Sequence, residues 1–104
     1  MVTARIDQNI INPVQEFVAE VKKNWHVDGV FLFGSFAKGA QHADSDIDIA
    51  IISRDFKEDR FDDMLQMRML RTDLRIEPHA IRTEDFNHRA TALSNEIALT
   101  GIAL

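Results

Sequence analysis

Two aspartates raise the first chemical question of this sequence. Asp46 and Asp48 stand in the isoleucine-rich stretch SDIDIAII. Carboxylates are depleted in strands and costly to bury, so a strand here needs something to offset their charge. Residues two apart in a strand share a face, which places both carboxylates side by side. Mg²⁺, which prefers oxygen ligands, would remove their mutual repulsion. The alternative is an edge strand that carries both acids on its solvent face.

A glycine–serine pair upstream is the second chemical feature. Gly34 and Ser35 follow the apolar run VFLF and precede a short segment that is predicted to be helical. A strand that passes into a helix leaves backbone N–H groups free at a positive helix end, which favours an anion such as phosphate. Lys38 lies close enough along the chain to add a positive charge. A tight turn with a helix cap, and a solvated lysine, are the alternatives.

Apolar periodicity predicts the elements that would position these motifs. Asn12 and Pro13 predict the start of a helix whose buried stripe runs to Trp25. Strands are predicted over residues 30–33, 46–52 and 75–81. A second long helix is indicated by apolar residues at helical spacing: Phe61, Met64, Leu65, Met67, Leu70 and Leu74. Two shorter helices are predicted, one from Thr83 and one over residues 94–100.

This alternation of strands and helices indicates an α/β or α+β fold. We expect a small mixed sheet of about three to four strands, flanked by helices. Pro78 places the third strand at an edge of that sheet, because proline cannot donate to a ladder. The length of 104 residues predicts one domain that spans residues 1–104.

Composition narrows the class of function. The net charge of −5 argues against a nucleic-acid duplex as the main partner, because duplex binding needs a basic surface. It does not argue against a nucleotide. The sequence has no cysteine, which excludes disulfides and thiolate metal sites. It shows no leader and no apolar run long enough to cross a bilayer, so we expect a cytoplasmic protein without a membrane partner.

The motif GSFAKGAQHADSDIDIAI resembles the signature of the DNA polymerase beta-like nucleotidyltransferase superfamily. The small size is similar to that of the minimal nucleotidyltransferases. These are often paired with a HEPN-domain protein in bacterial and archaeal toxin–antitoxin systems. The later stretch DLRIEPHAIRTEDF and a last helix that ends in TG are similar to the same group. The resemblance covers most of the chain from Val30 onward.

The resemblance implies a role for each motif residue. Gly34 and Ser35, with Lys38 nearby, would hold the phosphates of ATP. Asp46 and Asp48 would coordinate two Mg²⁺ ions. The reaction would be an in-line displacement at the α-phosphate, with the metal ions neutralising charge on the entering and leaving oxygens.

The resemblance also implies a third carboxylate on a neighbouring strand. Glu77 is the favoured candidate, and Arg75 and His79 share its predicted face. Asp73 is the rival, although a solvated charge near a helix end explains it as well. A site without a third acid is also open.

Three functions follow from this resemblance. The first is transfer of AMP from ATP to a tyrosine hydroxyl of a partner HEPN toxin, which would make this chain the antitoxin. The second is a non-catalytic antitoxin that masks its partner by binding. The third is a small-molecule nucleotidyltransferase of the aminoglycoside type, with a second subunit completing the acceptor pocket. The sequence leaves open whether the protein forms a homo- or hetero-oligomer.

Overall fold

The computed structural model describes residues 8–34, 37 and 46–104. Within them the elements are, in chain order, α1 (Gln8–Lys22), β1 (Gly29–Phe33), β2 (Ile47–Ser53), α2 (Phe61–Leu70), β3 (Ile76–Arg82), α3 (Thr83–Asn87), α4 (Ala92–Thr100) and β4 (Ile102–Ala103). The strands form one sheet in the order β3-β2-β1-β4. β2 and β3 are parallel, whereas β1 is antiparallel to both β2 and β4. The predicted small mixed sheet flanked by helices is confirmed.

Each face of the sheet carries its own apolar core. On the first face, Ile47, Ile49 and Ile51 of β2 pack with residues of α1 and α2. On the second face, Ala50 and Ile52 pack with Ile97 of α4 and with the partly buried Phe86 of α3. Alternate residues of a strand point to opposite faces, so β2 is apolar on both. Asp48 shares the second face with Ala50 and Ile52.

Helix α1 begins earlier than the sequence predicts. Asn12 and Pro13 were expected at its start, but the helix begins at Gln8 and Pro13 lies inside it. Proline cannot donate a backbone hydrogen bond, which costs helix stability. Ile10, buried four residues before Val14, extends the apolar stripe by one turn. Burial of this side chain offsets the lost hydrogen bond.

Helix α2 is shorter than predicted and turns a different face inward. It ends at Leu70, because Arg71 takes an extended conformation. Inside the helix, the buried Asp63 carboxylate accepts the backbone N–H of Lys57 at 3.0 Å. This bond fixes the rotation of the helix, so that Asp63 and Met67 face the core four residues apart. Phe61 and Leu65 of the predicted buried stripe are therefore exposed. Leu74, the last residue of that stripe, lies beyond the end of the helix and is exposed as well.

The two edges of the sheet differ. β3 forms one edge, as Pro78 predicts, and Pro78 lies opposite Ile49 in the β2–β3 register. The other edge is β4, a strand of two residues that the sequence analysis did not predict. No helix of the described residues is long and apolar enough to cross a membrane.

A polar cluster joins three elements at the end of the sheet away from Asp48. Asp28, just before β1, accepts two hydrogen bonds from the Arg54 guanidinium, at 2.7 and 3.2 Å. It also accepts the hydroxyl of Thr83, the first residue of α3. The hydrogen bond from Arg54, followed by that from Thr83, holds the pKa of Asp28 well below its usual range.

Candidate active site

The glycine turn and the Asp-x-Asp motif meet in space. Phe33, the last residue of β1, lies opposite Asp48 in the antiparallel β1–β2 register. Gly34 follows with φ at +73°, a left-handed conformation that residues with a side chain rarely adopt. A Cβ placed on Gly34 would overlap the Asp48 carboxylate and stand 3.2 Å from its Cγ. Glycine is therefore required here both by the backbone and by the carboxylate beside it.

Asp48 is held by a histidine from the neighbouring strand. His79 Nε2 lies 3.3 Å from Asp48 Oδ1, and both side chains are partly exposed. The His79 ring packs edge-on against Phe33, with the ring centroids 4.9 Å apart. The sequence analysis placed His79 on the same face as Glu77 but gave it no role. Its contact with Asp48 depends on the β2–β3 register, which the sequence does not reveal.

Asp46 lies immediately before β2 and is exposed to solvent. It stands two residues from Asp48, which is the spacing that brings side chains to one face in an extended chain. Carboxylate oxygens at this spacing fit the ligand preference of Mg²⁺.

Glu77 has the predicted backbone position but already has cationic partners. It lies directly opposite Asp48 in the parallel β2–β3 register. Its carboxylate is bonded by the Arg68 guanidinium of α2, and Arg71 Nη1 is 3.6 Å from its other oxygen. Arg71 is itself anchored, because it donates to the Ile76 carbonyl oxygen at 2.6 Å. Glu77 is thus shared between two guanidinium groups in this arrangement.

Asp73, the rival third acid, lies in the loop between α2 and β3. Its carboxylate accepts the backbone N–H of Arg75 at 2.9 Å and the Arg75 guanidinium at 2.7 and 3.1 Å. The guanidinium hydrogen bond lowers the pKa of Asp73. These bonds tie Asp73 to its own loop.

Ser35 and Lys38, the other two predicted phosphate-binding residues, lie outside the described residues. Their roles stay predictions. Ala37, between them, is helical.

The residues present fit a divalent cation in part. Asp46 and Asp48 offer hard oxygen ligands, and Gly34 leaves the Asp48 carboxylate room. Over residues 8–34, 37 and 46–104, no three His, Cys, Asp or Glu side chains converge as a metal-binding group. Glu77 would have to leave Arg68 to become a third ligand.

Comparison with known proteins identifies the class of protein. A family model described as "Polymerase beta, Nucleotidyltransferase" matches residues 15–104. The chain therefore belongs to the polymerase beta-like nucleotidyltransferase family. No curated protein matches it.

Two solved structures share the fold. One is a proposed nucleotidyltransferase from Sulfolobus solfataricus, which is 20% identical with a TM-score of 0.69. The alignment covers 91% of this chain and 78% of that one. The other is a toxin–antitoxin structure with AMP-PNP, which is 22% identical with a TM-score of 0.59. That alignment covers 86% of this chain and 69% of the other.

Proposed function

We propose that this chain is the antitoxin of a cytoplasmic toxin–antitoxin system and transfers AMP from ATP to a tyrosine hydroxyl of a HEPN-domain toxin. The observation that carries the proposal is the contact between the two motifs. Gly34, which directly follows β1, lies against the Asp48 carboxylate, so a phosphate approaching the glycine turn would lie beside the acids. Membership of the nucleotidyltransferase family supports the same reaction class.

Each residue then has a defined task. The backbone at Gly34, with Ser35 and Lys38, binds the phosphates, and Asp46 and Asp48 hold Mg²⁺. When bound, Mg²⁺ would stabilise negative charge on the entering and leaving oxygens. His79 orients the Asp48 carboxylate through its contact of 3.3 Å with Oδ1.

The transfer itself balances without a further reactant. The acceptor hydroxyl gives its proton to a carboxylate of the site, for which Glu77 is our candidate. The tyrosine oxygen forms a bond to the α-phosphorus, and the bond from that phosphorus to the bridging oxygen breaks. Pyrophosphate leaves, and the tyrosine keeps the AMP.

The partner part of the proposal is supported by a neighbour in structure. A protein of the same fold is described in a toxin–antitoxin structure with AMP-PNP. We carry over from it a toxin as the partner and an adenine nucleotide as the substrate. The HEPN class of the toxin comes from the resemblance described above.

The test is to incubate this chain with its HEPN-domain partner, ATP and Mg²⁺, and to measure the intact mass of the partner. We expect the gain of one AMP with the native chain and no gain with Asp48→Asn. Glu16→Gln, a loss of one exposed carboxylate on α1, is the matched control and should leave the gain unchanged. No gain with the native chain, or an equal gain with Asp48→Asn, would refute the proposal.

A second candidate function is favoured by one observation. Arg68 and Arg71 hold the proposed third acid in an ion-pair cluster, as expected if the chain only masks its partner. An Asp46→Asn, Asp48→Asn double variant separates the two. If it still neutralises the toxin in cells, masking is sufficient. If neutralisation is lost while the variant still binds the toxin, catalysis is required.

A further inference from the structure

Two arginines share one carboxylate beside the candidate active site. Arg68 of α2 bonds one oxygen of Glu77, and Arg71 Nη1 lies 3.6 Å from the other oxygen. Asp73, two residues after Arg71, is already bonded to Arg75. The cluster of two arginines and one glutamate therefore carries one positive charge in excess, although the net charge of the chain is −5. Such a local excess of positive charge attracts an anionic group.

The arginine cluster lies at the β3 end of one row of residues across the sheet. Phe33 of β1, Asp48 of β2 and Glu77 of β3 are paired side by side in this row. Neighbouring strands are about 4.8 Å apart, so the row is short. Asp48 Oδ2 faces Gly34, whereas Asp48 Oδ1 faces His79 of β3. The glycine turn and the arginine cluster are thus on opposite sides of the Asp48 carboxylate.

These opposite positions assign a different reactant to each side of Asp48. In an in-line displacement, the entering oxygen and the leaving group lie on opposite sides of the phosphorus. In the proposed function, the glycine turn binds the phosphates that leave as pyrophosphate. The acceptor hydroxyl then enters from the β3 side, where Arg68 and Arg71 lie. The two arginines are therefore placed to contact the acceptor and not the leaving pyrophosphate.

Glu77 shows which chemical group the two arginines bind. Guanidinium groups match the geometry of a carboxylate, and here two of them contact both oxygens of the same one. Arg71 is the fixed half of the site, because it donates to the Ile76 carbonyl oxygen at 2.6 Å and its side chain is only 19% exposed. Arg68 and Glu77 are 45% and 28% exposed, so an incoming group can reach their contact. Exposed ion pairs contribute little stability, so this one can be exchanged at small cost.

We propose that Arg68 and Arg71 form a carboxylate-binding site on the acceptor side, which holds Glu77 in the free chain and an acidic side chain of the acceptor protein in the complex. This inference rests on the proposed function and deepens it, because it assigns the chemistry that recognises the acceptor. Exchange of one carboxylate for the other keeps both guanidinium groups paired. It also releases Glu77, which can then take the proton of the acceptor hydroxyl. The third acid thus becomes available when the acceptor is in place.

The test uses the HEPN-domain partner as the probe and compares two arginine variants. Arg68→Gln removes one guanidinium group from the site. Arg82→Gln is the matched control, because Arg82 pairs with Glu84 at 3.3 Å at the other end of β3. We expect Arg68→Gln to weaken binding of the partner and to raise its KM by about tenfold or more, the scale of a hydrogen bond to a charged group. The kcat should not fall, since Glu77 loses one of its two cationic partners. Arg82→Gln should leave binding and KM within about twofold.

Binding of ATP with Mg²⁺ is measured in parallel and separates failure of this inference from failure of the proposed function. Arg68→Gln should bind ATP with Mg²⁺ at least as tightly as the native chain, because the arginines do not hold the nucleotide. Weaker ATP binding by this variant would overturn the inference. Equal binding of the partner by Arg68→Gln and Arg82→Gln would overturn it as well. Absence of both ATP binding and AMP transfer in the native chain would instead refute the proposed function.

A charge exchange between the two proteins identifies the acidic side chain of the partner. Once mass spectrometry has located the modified tyrosine, each Asp or Glu near it is changed to Asn or Gln. One of these changes should weaken binding as much as Arg68→Gln does, and should add little when it is combined with Arg68→Gln. Arg68→Glu should bind the native partner poorly and should recover binding when that acid of the partner is replaced by Arg. If no acid near the tyrosine shows this coupling, the arginines do not bind a carboxylate of the acceptor and the inference is wrong.

Discussion

Gly34→Ala tests the site most directly, because the added methyl group is unfavourable for two structural reasons. The left-handed φ of +73° costs a residue with a Cβ about 1–2 kcal/mol. The new Cβ would also overlap the Asp48 carboxylate, which must then move. We expect the free energy of unfolding to fall by at least this strain energy. Since Asp48 is displaced, binding of ATP with Mg²⁺ should weaken by more than the stability change alone explains.

Gly29→Ala is the matched control for this change. A Cβ on Gly29 would meet Phe31 and Ile52 at ordinary contact distances of 3.4 and 3.5 Å. Replacing a strand glycine by alanine at a compatible position is neutral or stabilising by about 0.4–1 kcal/mol. Urea unfolding and calorimetric titration with ATP and Mg²⁺ measure both variants. If Gly34→Ala matches Gly29→Ala in stability and in binding, the reasoning about Gly34 is wrong.

Two further variants separate the backbone strain from the overlap. Gly34→Asn keeps the overlap but reduces the strain, because asparagine tolerates the left-handed conformation. Combining Gly34→Ala with Asp48→Ala removes the overlap but keeps the strain. A double-mutant cycle between these sites should give a coupling of about 0.5–3 kcal/mol, typical of residues in contact. Additive effects would show that Gly34 and Asp48 do not touch.

Three other predictions concern stability and the ion pairs. The pKa of Asp28 in the folded chain lies below its ordinary 3.8. The ionised carboxylate therefore adds to the free energy of unfolding above pH 3.8, and this stabilisation is lost as the pH falls toward the folded pKa. The melting temperature should therefore drop below about pH 4 in the native chain, and less steeply in Asp28→Asn. Thr91→Ala removes the cap of α4 and should cost about 1 kcal/mol in urea unfolding, whereas Thr91→Ser should cost less. Arg68→Ala frees Glu77, so if Glu77 is the third acid, the Mg²⁺ concentration for half-maximal nucleotide binding should fall by about two- to fivefold, the scale of an exposed ion pair. An unchanged Mg²⁺ dependence would argue against Glu77 as a ligand.

Local patterns in the sequence predicted every described helix and strand except β4. The apolar run of residues 30–33 and the isoleucine-rich run of residues 46–52 predict strands, and β1 and β2 form there. The predicted start of α1 was wrong because two signals disagree. Pro13 indicates a start at Asn12, whereas the apolar stripe continues back to Ile10, and the helix follows the stripe. Such competition depends on what the helix packs against, which the periodicity of one segment does not contain.

The prediction of which side of α2 is buried was wrong for a related reason. Its apolar residues occur on both sides of the helix, so spacing alone cannot say which side is buried. The Asp63 carboxylate faces inward and accepts the backbone N–H of Lys57, and this bond depends on the path of the preceding loop.

The candidate site was predictable only in its parts. Gly34 and Asp48 were each singled out from local motifs, but their contact requires the β1–β2 register. The partners of Glu77 are Arg68 in α2 and Arg71 directly after it. No local sequence pattern predicts that these residues contact β3. Residue types and spacing thus predicted the candidates, whereas their partners depended on tertiary packing.

Pro78 has a consequence for how anything can approach the site along β3. The Ile47 N–H donates to the Arg75 carbonyl at 2.7 Å, so in this parallel ladder Arg75 and every second residue after it direct their polar groups toward β2. Pro78 falls on the alternate positions, which face outward, and proline has no N–H to offer. The outward N–H of Ile76 is already bonded to the Asp73 carbonyl at 3.1 Å. The half of this edge nearest Asp48 therefore presents no backbone donor to an incoming strand. An extended peptide cannot bind there by adding a strand to the sheet. We expect the acceptor to be recognised by its side chains, as part of a folded surface.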